Sequence, residues 1–170
     1  MKNILSLLLI LPALSACKKE VSELPAATQT GAQVFGAKVN GALWTPAGLG
    51  FVGKPKLEAF YGINRSITIN ARNLASTPRE SEFEIRLNHV VKPGVYPLSN
   101  SSGNSAYYVE RKVTPTGEWK TSDEYGGQVV ITHTDTVNRI VSGTFEFQAA
   151  SLYNDSPITV TEGRFDVKVQ

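Results

Sequence analysis

Few residues in this chain combine the types and spacing that catalysis requires. Its 2 histidines, His89 and His133, are the side chains that could act as bases near neutral pH. His133 and Asp135 are two residues apart and therefore share one face of a strand, which could begin a metal site or pair a base with its orienting carboxylate. The sequence identifies no third ligand and no nucleophile, and catalysis needs a converging set of groups. A histidine and an aspartate on a solvated sheet face are the favoured interpretation.

The other acidic residues are similarly ordinary. Glu82 and Glu84 share a strand face, as the paired carboxylates of a glycosidase must converge, but Arg86 on the same face predicts a charged outer surface. Asp123 and Glu124 lack the spaced oxygen ligands and the following glycine of a calcium loop. We therefore predict no metal site, no cofactor site and no catalytic residues.

Gly48 to Gly53 spell G-x-G-x-x-G, the motif of a dinucleotide-binding loop. Such a loop must open a helix, yet Lys54-Pro55 follows it and residues 57–63 have strand character. No acidic residue stands about 20 positions further on, where one would bind the ribose. The motif is interpreted as a flexible connection.

Four aromatic residues, Tyr107, Tyr108, Trp119 and Tyr125, lie close together in the sequence around a hairpin bounded by Gly and Pro. Because Tyr107 and Tyr108 are consecutive in a strand, they must face opposite sides of it. We expect at least one of these rings to be exposed, where it could contact a sugar or a protein partner; the alternative is that they serve the core or its rim.

The N-terminus has the layout of an exported protein. Lys2 is followed by an apolar run over residues 4–11, which is too short to span a bilayer, and then by Leu14-Ser15-Ala16-Cys17. That box resembles the cleavage site of bacterial lipoproteins. The resemblance implies that residues 1–16 are removed as a signal peptide and that Cys17, the single cysteine, becomes a lipid anchor carrying fatty acyl chains such as palmitate. The alternative is an ordinary secretory signal with a chance cysteine.

Charge and composition constrain the rest of the chain. Without Lys2 the basic residues number 17 − 1 = 16 against 15 acidic ones, a net charge of +1, and no Lys/Arg cluster appears, so no nucleic-acid partner is expected. Residues 17–32 are interpreted as the lipidated cysteine and a flexible tether, and residues 33–170 as one domain. By analogy with other bacterial lipoproteins, Lys18 in place of an aspartate favours the outer membrane, in either its periplasmic or its surface leaflet.

The domain reads as an all-β fold. Asn40-Gly41 predicts a hairpin that pairs Val39 with Ala42, Ala37 with Trp44 and Phe35 with Pro46. Alternating apolar and polar residues predict further strands over 67–71, 83–87, 107–113, 128–134 and 141–149. A last run covers residues 158–169, where the apolar positions change from even to odd numbers, and this slip predicts a β-bulge near Glu162-Gly163. We expect an antiparallel meander that forms a two-sheet sandwich or a partly closed barrel.

Several segments together resemble an uncharacterised lipoprotein family of the Bacteroidota. They are residues 34–36, 39–41 and Trp44, the 93–98 turn, the 143–147 strand and the terminal residues 161–167. The resemblance covers nearly the whole mature chain and implies no activity or catalytic residue. In addition, Asp135-Thr136-Val137 resembles the O-glycosylation sequon of that phylum and would require a surface turn.

Two classes of function follow from these observations. The favoured one is a membrane-anchored, non-enzymatic envelope lipoprotein that binds a protein, a glycan or a small ligand, with a lipocalin-like cavity for an apolar ligand as a variant. The alternative is a hydrolase of an envelope polymer that uses His133 and Asp135.

Overall fold

The structure, a computed structural model, describes residues 22–48, 55–75, 80–111, 117–154 and 156–170. The predicted signal peptide, Cys17, the start of the tether and all of the glycine motif except Gly48 lie outside the described residues. Within them the chain is all-β apart from one 3-10 turn at Ile63–Arg65. None of the described segments forms a helix with the length and apolar character needed to span a membrane.

The described residues form eleven strands. In chain order they are β1 (Val34–Val39), β2 (Ala42–Trp44), β3 (Leu57–Tyr61), β4 (Ile67–Asn73), β5 (Glu80–Leu87), β6 (Gly94–Leu98), β7 (Ser105–Arg111), β8 (Gly117–Lys120), β9 (Gly127–Asp135), β10 (Ile140–Ser151) and β11 (Ile158–Lys168).

All strand pairs are antiparallel, and the sheet curls into a half-barrel with the order β2-β1-β11-β10-β8-β7-β5-β4-β3. Consecutive strands pair in the runs β3-β4-β5 and β9-β10-β11, as a meander predicts. The order departs from a simple meander in two places. The first strand pairs with the last, β1 with β11, and β5 pairs with β7 because β6 leaves to pair with β9.

Two local predictions are confirmed by the register. Val39 pairs with Ala42 and Ala37 with Trp44, and both Asn40 and Gly41 have the positive φ of a type I′ turn. The third predicted pair, Phe35 with Pro46, does not form, because β2 ends at Trp44. In β11 one extra residue separates the partners of Gly36 and Lys38, so the predicted bulge is present at Glu162-Gly163, and Glu162 has a φ of 53°.

Strands β6 and β8 were not predicted, because each contains residues that normally interrupt strands. Pro97 lies inside β6, which pairs only with β9 among the described strands and can therefore accommodate a residue without an N–H. Strand β8 is four residues long and begins at a glycine. Pairing with longer neighbours stabilises both segments.

The concave side of the half-barrel is filled by aromatic rings. Phe83 is at the centre, with ring centroids 4.7 Å from both Trp44 and Tyr108 and 5.5 Å from Phe35. Phe145 and Phe147 complete the cluster. The indole of Trp44 donates to Ser81 Oγ over 2.8 Å, so its polar atom is satisfied in the core. Large side chains occupy the space in which a lipocalin would hold its ligand.

Two short sets of backbone bonds tie the chain after β11 and after β2 to strands β3 and β4 of the curled sheet. Gln170 N donates to Ala59 O and Tyr61 N donates to Gln170 O, which ties the end of the chain to β3. Ala47 forms a parallel bridge with Asn73 through bonds of 3.2 and 2.9 Å. These bonds satisfy backbone groups that an open sheet edge would leave exposed.

The N-terminal segment, residues 22–32, lies against the domain and is held by one buried carboxylate. Asp166 on β11 has no solvent exposure. Its Oδ2 accepts bonds from the hydroxyl of Thr28 (2.7 Å) and the amides of Thr30 (2.9 Å) and Ala32 (3.0 Å), and its Oδ1 from the amide of Gly31 (2.9 Å) and the hydroxyl of Ser142 (2.8 Å). We call this set of five bonds the Asp166 clamp.

The clamp keeps Asp166 ionised. Burial alone would raise its pKa, but the bonds from Ala32, Thr28, Ser142 and Thr30 outweigh burial and lower the pKa to about 2. The donors are neutral, so hydrogen bonds and the dipoles of successive amides stabilise the negative charge.

Replacing Asp166 by Asn should destabilise the protein by about 3 kcal/mol at neutral pH, because an amide group would oppose donors that need an acceptor. The pKa of Asp166 is lower in the folded protein than the ordinary value near 3.9, so its contribution of about 2–3 kcal/mol is complete above about pH 4 and is lost as the pH falls towards 2. We therefore expect urea unfolding to show that the difference in free energy of unfolding between the wild type and D166N becomes smaller between about pH 4 and pH 2.

Glu146→Gln is the matched control, since Glu146 is an exposed carboxylate on β10, and it should change the stability by less than about 0.5 kcal/mol. A difference in free energy of unfolding between the wild type and D166N that stays constant from pH 7 to pH 2 would contradict this account of the Asp166 clamp.

Candidate functional site

The four aromatic residues proposed as ligand contacts do not form one surface. Tyr108 is buried in the core beside Phe83, and Trp119 packs against it with ring centroids 5.8 Å apart. The indole of Trp119 donates to Ser156 O. Burial, Glu110 and its hydrogen bond raise the pKa of Tyr108, so its phenol stays protonated. Tyr108 and Trp119 thus serve the core and its rim.

Tyr107 lies on the opposite, outer face of β7, half-buried. Burial and a hydrogen bond to Glu118 raise the pKa of its phenol, and Tyr153, which is 58% exposed, is close enough to interact with it. Tyr125 is half-buried in the turn before β9, where its backbone bonds to Ser122. Of the four residues, Tyr107 is the one whose surroundings best fit a surface contact.

The acidic residues considered for catalysis are engaged in local structure. Asp135 accepts bonds from the amides of Val137 and Asn138 and from the side chain of Asn138, and the bond from the Asn138 amide is the main reason that its pKa is lowered. Within the described part of the chain no hydrogen bond joins it to His133. Glu84 pairs with Arg86, and Glu82 is held by Arg72 and Arg111 on the outer face.

No group of three or more His, Cys, Asp or Glu side chains that could hold a metal ion occurs among the residues that the structure describes. His89 is exposed in the loop between β5 and β6.

A different site emerges at the end of the half-barrel where three turns meet. They are residues 62–66 between β3 and β4, residues 88–93 between β5 and β6, and residues 135–139 between β9 and β10, and we call them the open-end turns. They border a half-open cavity of about 310 Å³. Its walls are Tyr61, Arg65, Val90, Val91, Thr134, Thr136 and Arg139. The volume falls at the lower limit of ordinary ligand pockets.

The backbone of the open-end turns is unusual. Seven non-glycine residues of the described chain have positive φ, and four of them, Asn64, Arg65, His89 and Arg139, lie on these turns. Such conformations are uncommon outside glycine and cluster at functional sites. Arg65 O accepts a bond from Val90 N, and Arg139 O from Val169 N, which fixes both arginines in place.

The two arginines also differ in their partners from the other arginines that the structure describes. Arg72, Arg86 and Arg111 form ion pairs, and Arg164 donates to backbone carbonyls. No polar group of the described residues bonds to the guanidinium of Arg65 or Arg139. The open-end turns carry three cations, Arg65, Lys92 and Arg139, against the single carboxylate of Asp135, which the turn itself binds. The cavity is therefore electropositive.

Sequence reasoning did not find this site. Arg65 and Arg139 are separated by many residues and belong to no motif, and only the curl of the sheet brings their turns together. Thr136 is exposed on the third turn, so the surface turn that the O-glycosylation hypothesis requires is present, and it also lines the cavity.

Comparison with known proteins gives a family but no function. A family described as a domain of unknown function (DUF6252) matches residues 32–167. No curated protein and no solved structure matches the chain. The matched region includes the Asp166 clamp from Ala32 onwards and all three open-end turns. Since it spans most of the sequence, the chain belongs to the DUF6252 family.

Proposed function

We propose that this protein is a lipid-anchored envelope lipoprotein of the Bacteroidota whose β-domain is a non-enzymatic binding module. In this proposal the ligand binds in the cavity of the open-end turns. The observation that carries it is the convergence of Arg65 and Arg139, both without a polar partner among the described residues, on a cavity built by three turns. Both arginines are exposed to solvent, and a guanidinium that makes no ion pair within the described fold is free to bind an anion.

The anchor part of the proposal rests on the lipoprotein box at Leu14-Ser15-Ala16-Cys17. Two or more acyl chains hold a protein stably at a membrane, so the domain needs no membrane contact of its own. Lys18 supports the outer membrane as the location.

The path of the N-terminal segment supports an orientation for the anchored domain. Pro25 O accepts a bond from Arg164, Thr28 bonds to Asp166, and Gly31 lies beside Lys168. The segment thus runs along β11 towards the open end, and its first residues lie farther from that end than Gly31 does. From Cys17 to Leu24 the chain has seven Cα–Cα steps and can reach at most about 25 Å. We infer that the cavity faces away from the anchoring membrane.

The anchor can be tested with Cys17→Ala in the native host. The wild-type chain should fractionate with membranes and have an N-terminal mass increased by a diacylglyceryl group, whereas the variant should leave the membrane fraction. Folding should be unaffected, which the thermal midpoint of the variant would check. An unmodified Cys17 in wild-type protein from native cells would refute the anchor.

The binding site can be mapped by NMR on ¹⁵N-labelled full chain carrying Cys17→Ala. Titration with small-molecule fractions of an envelope extract should shift amide signals from the three open-end turns, because a ligand in the cavity changes their surroundings. Signals around Tyr107 and Tyr153, on the other exposed face, are the internal control. Shifts confined to that second face, or no shifts at saturating extract, would contradict the proposed site.

A further inference from the structure

We propose that the cavity of the open-end turns binds a small amphiphilic oxyanion, meaning a carboxylate or phosphate head group attached to a short aliphatic chain. This inference rests on the proposed function and names the class of ligand. The cavity combines fixed positive charge with exposed apolar side chains, and the two parts of such a molecule match these two features.

The polar side chains that line the cavity suit an anionic head group. Guanidinium groups bind carboxylate and phosphate oxygens through paired N–H donors. Arg65 and Arg139 are both on the cavity wall, and the hydroxyl-bearing side chains of Tyr61, Thr134 and Thr136 are there as well. Hydroxyls can donate to the same oxygens. None of the described carboxylates lines this cavity, so an incoming anion would have no acidic competitor on the wall.

Exposed apolar side chains on the open-end turns suit the aliphatic part of the ligand. Of the large apolar side chains that are more than half exposed in the described chain, three stand on the open-end turns: Ile63 (86%), Val91 (52%) and Val137 (87%). Of these three, Val91 lines the cavity, together with the buried Val90, and Ile63 and Val137 lie on the turns around it. Exposed apolar side chains grouped around a cavity are a feature of ligand sites, since their burial against a ligand is favourable.

A soluble small molecule fits these features better than a membrane surface. The arginines line a concave space of about 310 Å³, in which a single head group can be surrounded, whereas a flat bilayer would meet only the tips of the turns. The left-handed backbone at Arg65 and Arg139 and the bonds to their carbonyls hold the turns in one geometry before a ligand arrives. The inferred orientation also points the cavity away from the anchoring membrane.

The test uses the full chain carrying Cys17→Ala, so that neither detergent nor bilayer is needed. Hexyl phosphate, hexanoate, hexanol and inorganic phosphate are titrated separately, with NMR shifts of the open-end turns as the readout. We expect the two amphiphilic anions to bind, and hexanol and inorganic phosphate to bind at least about tenfold more weakly, because each lacks one half of the recognised molecule. The tighter of the two anions identifies the head group.

Substitutions assign the binding to the arginines. Arg65→Gln and Arg139→Gln should each weaken the binding of the tighter-binding anion about tenfold or more, and should leave the binding of hexanol unchanged. Arg86→Gln is the charge-matched control, because Arg86 is an exposed arginine on β5 that pairs with Glu84, and it should leave binding unchanged. Arg65→Gly and Arg139→Gly remove the guanidinium while suiting the positive φ, so their thermal midpoints should not fall.

Each alternative outcome has a distinct meaning. Equal binding of hexanol and hexyl phosphate would overturn the inference that the ligand carries an oxyanion, but would leave the cavity as a binding site. Binding to phosphatidylglycerol vesicles without binding of hexyl phosphate or hexanoate would overturn the inference in favour of a membrane contact. If none of the four probes shifts the open-end turns while an envelope extract does, the ligand class is wrong and the proposed function stands.

Discussion

The carboxylate of Asp166 is the constraint on which much of this structure depends. It is fully buried, yet it remains charged because five neutral donors converge on it, from Thr28, Thr30, Gly31, Ala32 and Ser142. A buried charge without such partners would cost several kcal/mol, so the position of each donor is strongly fixed. The clamp therefore joins three parts of the chain: the N-terminal segment, β10 and β11.

The Asp166 clamp connects the two parts of the proposed function, the membrane anchor and the binding cavity. The segment that it holds leads back to the predicted anchor at Cys17, and the strands that it holds lead forward to the open end. Strand β10 extends from Ile140 beside the cavity to Ser151 at the other end of the half-barrel, a length of about 36 Å. In the proposed orientation, a short tether to the membrane would present the cavity outwards. Binding and anchoring would then occupy opposite ends of one rigid unit.

Local features of the fold could be predicted from the sequence because neighbouring residues determine them. Asn40-Gly41 forms its turn through the φ values of two residues, and the bulge at Glu162-Gly163 follows from a slip in the alternation of apolar residues. The pairing of β1 with β11 and the position of β6 could not be predicted, since they depend on contacts between distant segments. The sequence of residues 22–32 has no apolar periodicity and is typical of a tether, and its contact with the domain depends on Asp166, more than 130 residues away.

The candidate site could not be predicted from the sequence for the same reason. Aromatic residues close together in sequence suggested a surface, but the alternation of β7 divides Tyr107 from Tyr108 and directs the second into the core. Arg65 and Arg139 have no sequence signature. They become neighbours of one cavity because the sheet curls. Their lack of polar partners among the described residues is visible only when the surroundings of the described arginines are compared.

The most direct test of this account is the height of the open end above the membrane in the lipidated protein. Fluorophores attached at Val137→Cys, on the open-end turns, and at Leu152→Cys, after β10, can be compared by energy transfer to an acceptor in the bilayer, since both positions are exposed. In the proposed lipidated form, Cys17 would be blocked by its acyl chains. The account predicts clearly weaker transfer from position 137 than from position 152. Equal transfer, or stronger transfer from position 137, would contradict the claim that the clamp and the anchor present the cavity away from the membrane.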